Sequence, residues 1–321
     1  MTKIENESST TTGVEAFRLK PFFSERVWGR QHLRPWYDTT GTSERVGEAW
    51  LTGPSCIVET GPLTGSTLES VVAQFGSQIL GEGLPGKAHA TEFPLLVKLL
   101  FPEDKLSVQV HPDDTQAQAM RLGRGKTECW YVLEADPGAA VALGLKPGVS
   151  ASEVRTAVAQ GTMEDLLQMV PVSPGDMIFV DAGTIHAIGP GVVLLETQQM
   201  SDTTFRMYDY GRPRELHLDQ ALAVMKTSTR AGKVAPRQMA GFTRLIEEQY
   251  FIVDRFDAGD RTVQVDMPGP GCLVTLAGSG VLHSSHSAVE MNLGQAIIAP
   301  ARSQLQVEGS GDLAFLRCME P

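Results

Sequence analysis

Gln109 and His111 stand two residues apart in the run Leu106-Ser-Val-Gln-Val-His-Pro-Asp-Asp114. Successive side chains of a strand point to opposite faces, so Leu106, Val108 and Val110 form an apolar face and Ser107, Gln109 and His111 a polar one. An amide oxygen beside an imidazole can bind a metal, although an ordinary half-exposed strand shows the same alternation. Pro112, with no N–H to donate, ends the ladder. A carboxylate that could join them is Glu128, which shares a strand face with Lys126 and Trp130 in the run Lys126–Leu133. A surface salt bridge between Lys126 and Glu128 would account for that pair equally well. Lys98 interrupts the apolar run Pro94–Phe101. A buried ammonium has to be paired or functional unless its head reaches water. Trp28 and Glu48 either line a pocket or serve as a core anchor and a surface acid.

These residues must be positioned by strands and turns. Gly175-Asp-Met-Ile-Phe-Val-Asp-Ala-Gly-Thr-Ile-His186 resembles the second motif of the cupin superfamily, with Gly175, Gly183 and His186 at the expected spacings and Asp181 where the motif has Pro. A strand, a tight glycine turn and a return strand would deliver the His186 imidazole to a barrel interior as a metal ligand. If Thr204–Arg212 is one continuous strand, Arg206, Tyr208, Tyr210 and Arg212 share a face. Two guanidiniums beside tyrosine hydroxyls suit a phosphate, while charges on an edge strand that discourage aggregation are the competing account. The spacing of Leu68, Val71, Val72, Phe75 and Ile79 predicts a helix capped by Thr67. Further helices are expected over Asp114–Leu122, from Ser152 to a break at Gly161, and over Leu216–Met225, followed by a polar linker, Thr227–Pro236. From Phe251 short strands separated by Gly and Pro mark an all-β unit. There Gly294–Pro300 repeats the spacing of Gly175–Asp181, with Arg302 in place of the second Gly and Leu305 in place of the His, so this looks like a second cupin barrel without ligands. His283 and His286 read as exposed loop histidines.

A chain of 321 residues suits about two domains. The formal charge of −11 argues against a nucleic-acid partner and makes any converging set of Lys and Arg more telling. No apolar run approaches the ~18 residues of a membrane span, and no signal peptide is apparent. Cys56, Cys129, Cys272 and Cys318 are scattered without CxxC pairs, which fits reduced thiols, Cys129 being a small buried hydrophobe, in a cytoplasmic protein. The expected organisation is a disordered tail (1–14), a catalytic cupin domain with helical insertions (15–232) and a second, metal-less cupin domain (233–321). The fold class is mainly β, with two cupin (jelly-roll type) barrels and a few helices packed around the first.

Pro94-Leu-Leu-Val-Lys-Leu-Leu, Leu106 through Asp114, Gly125-Lys-Thr-Glu-Cys-Trp-Tyr, Ala182-Gly-Thr-Ile-His-Ala and Glu196 through Arg212 together resemble the signatures of type I mannose-6-phosphate isomerases, in that family's order over roughly residues 17 to 230. The short length resembles the compact bacterial form. The resemblance implies one Zn²⁺ per chain held by Gln109, His111, Glu128 and His186. The Gln-x-His pair departs from the His-x-His common in redox cupins, which weakens an iron-dependent dioxygenase reading. The implied reaction interconverts mannose 6-phosphate and fructose 6-phosphate through a cis-enediol. Arg206, Lys126, Glu196 and Asp202 are the implied catalytic candidates, and the carrier of the proton stays open between a lysine and a carboxylate. Ser107 and Arg212 match phosphate-holding positions, with Lys98 nearby, and Trp28 and Glu48 complete the expected substrate pocket. Phe205 stands where the family usually has Tyr. The alternative is a non-catalytic sugar-phosphate-binding cupin that acts as a regulator. Beyond a sugar phosphate no partner is indicated, neither nucleic acid nor membrane, and the oligomeric state stays open.

Overall fold

The computed structural model describes residues 13–40, 44–81 and 92–321. In chain order the elements begin with β1 (Phe17–Lys20), β2 (Phe22–Arg30), β3 (Val46–Trp50), β4 (Ile57–Val58), α1 (Leu68–Leu80), β5 (Leu95–Leu100), β6 (Val108–Val110) and α2 (Asp114–Ala119). They continue with β7 (Glu128–Ala135), β8 (Ala140–Leu145), α3 (Ala151–Gln160), a 3-10 turn (Met163–Leu166), β9 (Leu167–Pro171), β10 (Met177–Val180), β11 (His186–Ile188), β12 (Val192–Gln199), β13 (Phe205–Tyr208), α4 (Leu218–Val224) and β14 (Gly232–Val234). Then come β15 (Arg237–Gln238), β16 (Thr243–Glu247), β17 (Ile252–Gly259), β18 (Thr262–Met267), β19 (Gly271–His283), β20 (Ala288–Asn292), β21 (Ala296–Ala299) and β22 (Ser303–Met319). The protein is mainly β, and among the described residues no helix is long and apolar enough to cross a membrane.

A seven-stranded sheet in the order β14-β10-β7-β12-β5-β3-β2 faces a five-stranded one, β13-β6-β11-β8-β9. This pair gives the cupin-like arrangement its interior. Trp28, Leu100, Leu106, Trp130 and Ile178 belong to one buried cluster there. On the far side of the seven-stranded sheet, Leu95, Val97 and Leu99 of β5 join α1 and also Val274, Ile298 and Leu316 of the C-terminal strands in a shared core. β5 is therefore buried on both faces, which is why its sequence is an unbroken apolar run apart from Lys98. The helices α3 and α4 cover the outer face of the five-stranded sheet through Val154, Ala157, Ala221 and Val224.

The remaining strands form a ten-stranded sheet around their own core, which includes Phe256, Leu282, Leu305 and Phe315. The N-terminal β1 joins this sheet by pairing with β21, and β14, inside the expected polar linker, pairs with β10 of the seven-stranded sheet. Strand pairing thus crosses residue 232 in both directions. Gly294 and Arg302 have φ of 74° and 64°, against 92° at Gly175 and 91° at Gly183. The turn geometry of the first motif therefore recurs in the C-terminal unit, with Leu305 buried in its core.

Several local expectations are corrected. Most of the expected tail lies outside the described residues, but Val14 packs on the core and its N–H donates to Gln78 Oε1 at 2.9 Å. The cap of α3 is Ser150 rather than Ser152, because Glu153 three residues on completes a reciprocal capping box. β6 starts only at Val108, and Leu106 turns into the interior between the sheets instead of joining Val108 and Val110. β13 stops at Tyr208, and Tyr210 and Gly211 then take positive φ of 55° and 78°. That turn breaks the continuous Thr204–Arg212 strand, so the two arginines and two tyrosines do not share a face. Asp181, standing where the cupin motif has Pro, holds its turn by accepting bonds from Thr184 Oγ1 at 2.8 Å and Arg230 N at 3.2 Å.

Candidate active site

Register places the polar side chains. Across the five-stranded sheet Arg206, Gln109 and His186 lie directly opposite one another, because Gln109 pairs with His186 on one side and Arg206 on the other. Across the facing sheet Trp50, Lys98, Glu196 and Trp130 form a second row. Between the rows is a cavity of about 460 Å³. Its lining includes Ser107, Gln109, Lys126, Glu196, Asp202 and Arg206, and also Trp28, Glu48 and Lys98.

At the base of the cavity the ligand atoms of His111, Glu128 and His186 lie within 4.8 Å of one another. All three residues are buried. His111 Nδ1 is 2.8 Å from the Thr203 carbonyl and His186 Nδ1 is 2.9 Å from the Thr184 carbonyl. A carbonyl can only accept, so each Nδ1 carries the proton and each Nε2 keeps a lone pair turned to the cluster. Glu128 Oε1 is 3.3 Å from His186 Nε2 and has no hydrogen-bond partner. The Gln109 amide is 3.2 Å from the same Nε2, and a flip of that amide would present its oxygen instead. Two imidazoles, a carboxylate and an amide oxygen around an orphaned acceptor fit a divalent cation such as Zn²⁺. Burial first, then the charge of Lys126, holds His111 well below the usual imidazole value. Burial lowers His186 to about 4. Both rings are therefore neutral near pH 7, as metal ligation requires.

Lys126 is buried, which sets aside the surface salt bridge as the account of its pairing with Glu128, and its ammonium lies 2.6 Å from Glu128 Oε2, 3.1 Å from His111 Nε2 and 3.8 Å from Glu196 Oε1. Burial alone would lower its pKa, but the Glu128 and Glu196 carboxylates raise it, so the ammonium stays charged. Glu196 has the opposite balance. Burial outweighs the attraction of Lys126 and lifts its carboxyl to about 7. Its Oε1 accepts from Trp130 Nε1 at 3.2 Å. Lys98 sits among three carboxylates, 3.0 Å from Asp202, 3.8 Å from Glu48 and 3.8 Å from Glu196, and 4.7 Å over the Trp50 ring. Burial would raise Asp202, but Lys98 and then Lys126 hold it below the ordinary carboxylate range.

Three arginines converge towards the mouth. Arg26 holds Glu48 through both guanidinium arms at 3.0 and 3.1 Å, and Arg214 holds Asp209 at 2.6 Å. Between them Arg206 donates to the Glu215 carbonyl at 2.8 Å, while its buried Nε has no partner. Burial first, then Arg214, lowers its pKa. Packing like charges so closely suits a site for an anion.

Every expected site residue except Arg212 lies in or directly under this cavity. Arg212 turns away to the Lys105 carbonyl, to Asp104 at 3.6 Å and to Asp209 at 3.4 Å. Arg214 lines the cavity instead, a difference set by the turn at 209–211 that two-residue periodicity does not register. Arg26 went unsuspected although it stands beside Trp28. An irregularity that pairs both Glu25 and Arg30 with Val46 lifts residues 26–29 out of the ladder of β2 and over the cavity. Phe205 is buried against the helices behind the sheet.

Residues 16–143 match the family described as phosphomannose isomerase type I, catalytic domain. The chain is 34% identical to the mannose-6-phosphate isomerase of Streptococcus mutans over 301 residues, covering 89% of this chain and 93% of that one. It is 36% identical to mannose-6-phosphate isomerase ManA of Bacillus subtilis over 272 residues, covering 79% of this chain and 84% of that one. The crystal structure of the Bacillus subtilis mannose 6-phosphate isomerase superposes with a TM-score of 0.83 at 30% identity, covering 95% of this chain and 99% of that one.

Proposed function

The chain belongs to the type I mannose-6-phosphate isomerase family, and from that premise we propose that its cavity interconverts D-mannose 6-phosphate and D-fructose 6-phosphate by moving a proton between C2 and C1 through a cis-enediol. The observation that carries this reading is the juxtaposition of a His-Glu-His cluster, a buried carboxyl poised near neutrality and an arginine-lined mouth in one cavity. One Zn²⁺ per chain, held by Gln109, His111, Glu128 and His186, would polarise the sugar oxygens when bound.

The remaining chemistry falls to the chain's own residues. Glu196 takes the C2 proton and returns it to C1, since a carboxyl near 7 can both accept and release it at working pH, while the hydroxyl proton of O2 passes to O1. Lys126, charged and 3.8 Å from Glu196, stabilises the negative charge that develops on the sugar oxygen. Asp202 keeps the Lys98 ammonium in place at 3.0 Å. Ser107, with Arg26 and Arg214, receives the phosphate, Arg206 beside them is the further catalytic candidate, and Trp28 and Glu48 shape the wall. The residues assigned these roles lie within 15–232, which we take as the catalytic unit, with 233–321 as its structural partner.

A coupled assay of fructose 6-phosphate turnover on the zinc-loaded protein, with and without a chelator, tests the reading. Turnover should be abolished by chelation and restored by added zinc. A zinc-loaded protein without turnover would overturn it.

A further inference from the structure

The pair Asp113-Asp114 after the ligand His111 is not used by the chemistry above. Asp113 caps α2, its carboxylate accepting from Gln116 N at 2.9 Å. Asp114 does something else. Its Oδ2 accepts from the hydroxyl of Tyr250 at 2.6 Å, and its Oδ1 accepts from Gly125 N at 2.8 Å and from Gln199 Nε2 at 3.0 Å. Gln199 Oε1 in turn accepts from Thr127 N at 2.9 Å. The amides on both sides of Lys126 are therefore tied to one carboxylate. Gly125 is needed for this approach, because a Cβ there would come within 2.5 Å of Asp114 N and 2.6 Å of the Asp113 carbonyl carbon.

Tyr250 lies between β16 and β17, strands of the C-terminal sheet, and so reaches Asp114 from the other unit. Burial would raise the Asp114 carboxyl, but the Tyr250 hydroxyl and the Gly125 amide outweigh it and keep the group ionised, the form that accepts every one of these bonds.

We propose that Tyr250 is a positioning residue for the isomerisation: through Asp114 it fixes the Gly125–Thr127 segment and thereby the placement of Lys126 and Glu128, so that the C-terminal unit completes the active site without entering it. The inference rests on the isomerase reading for its kinetic consequence but not for its structural one.

The test is Y250F, compared with wild type and with Y37F. The latter removes another tyrosine hydroxyl, the one that donates to the Gly294 carbonyl at 2.6 Å away from this network. Backbone amide exchange at Gly125 and Thr127 should accelerate about tenfold in Y250F alone, the scale expected for loss of a bond to a charged group. In the zinc-loaded enzyme kcat should fall about tenfold, with KM changed less than about threefold and zinc content unchanged. Exchange and kcat equal to wild type in Y250F would overturn the proposal, as would equal changes in Y37F. Should Y250F fold poorly, D114N carries the same expectation and the same overturning result. If wild type itself shows no turnover, the isomerase reading fails, while the exchange comparison still decides whether Tyr250 fixes the segment.

Discussion

Glu128 and Glu196 are both buried, yet the environment separates their tasks. Glu128 meets Lys126 at 2.6 Å and turns its unpartnered oxygen to the histidines, whereas Glu196 has cations no nearer than 3.8 Å and rises to about 7. Substituting Glu196→Gln should lower kcat by about 10²–10⁴-fold, as loss of a general acid–base group does, with zinc content unchanged; full activity would remove Glu196 from the proton's path. The same shift has a consequence for stability. The folded pKa of about 7 lies above the ordinary carboxyl value of 4.5, so the buried neutral form favours folding at low pH and that contribution is lost as pH rises through 7. Relative to metal-free wild type, E196Q should therefore gain stability steadily between pH 4.5 and 7.5 in denaturant titrations, and a pH-independent difference would contradict the assignment. At the mouth, Arg214→Ala should raise KM for the sugar phosphate about tenfold or more with a smaller effect on kcat, while Arg212→Ala, whose guanidinium faces Lys105 and Asp104, should leave KM near wild type. Steady-state kinetics on the two variants separates the arginines.

Turns decide which of these side chains arrive. The seven- and five-stranded sheets were legible through β5, β6, β7 and β10, because strict alternation or an unbroken apolar run fixes which face each residue takes. What alternation could not register is where a strand stops. Thr204–Arg212 alternates as well on paper as Leu106–Val110, yet the positive φ at Tyr210 and Gly211 diverts the chain and exchanges Arg212 for Arg214. The excursion of residues 26–29 is hidden for the same reason, since nothing in Glu25-Arg-Val-Trp-Gly-Arg30 marks both ends pairing with one residue. The carbonyls of Thr203 and Thr184 that fix the imidazoles are backbone atoms, and the sequence bears no trace of them. Asp181 shows a departure from a motif being accommodated locally. It replaces the rigidity of Pro with two accepted bonds, so Asp181→Ala should cost about 1–2 kcal/mol in urea unfolding. A cost near zero would mean that Gly183 alone, with φ of 91°, sets the turn before His186.

At the scale of the molecule the division at residue 232 does not cut the fold into independent halves. β1 pairs with β21, β14 pairs with β10, and the core beneath the catalytic sheet draws Leu245, Ile246, Phe251, Val274, Ile298 and Leu316 from beyond the division. Composition and motif spacing drew the boundary there as a change of role, since every candidate site residue precedes it. They could not show that the alternate faces of β5, β7 and β12 need a cover, because long-range packing leaves no local period. Each of those six side chains contributes roughly 1.5–3 kcal/mol when fully buried, so together they are comparable with the ~5–15 kcal/mol that holds a typical domain folded. A chain ending after Pro236 should therefore fail to form the catalytic unit: its near-UV circular dichroism should be lost, a hydrophobic dye should bind, and equilibrium dialysis should find no stoichiometric zinc. A soluble truncated protein with native-like dichroism and one zinc per chain would show instead that the C-terminal sheet is dispensable to the site, and with it the reason for tying Lys126 to Tyr250 across that boundary.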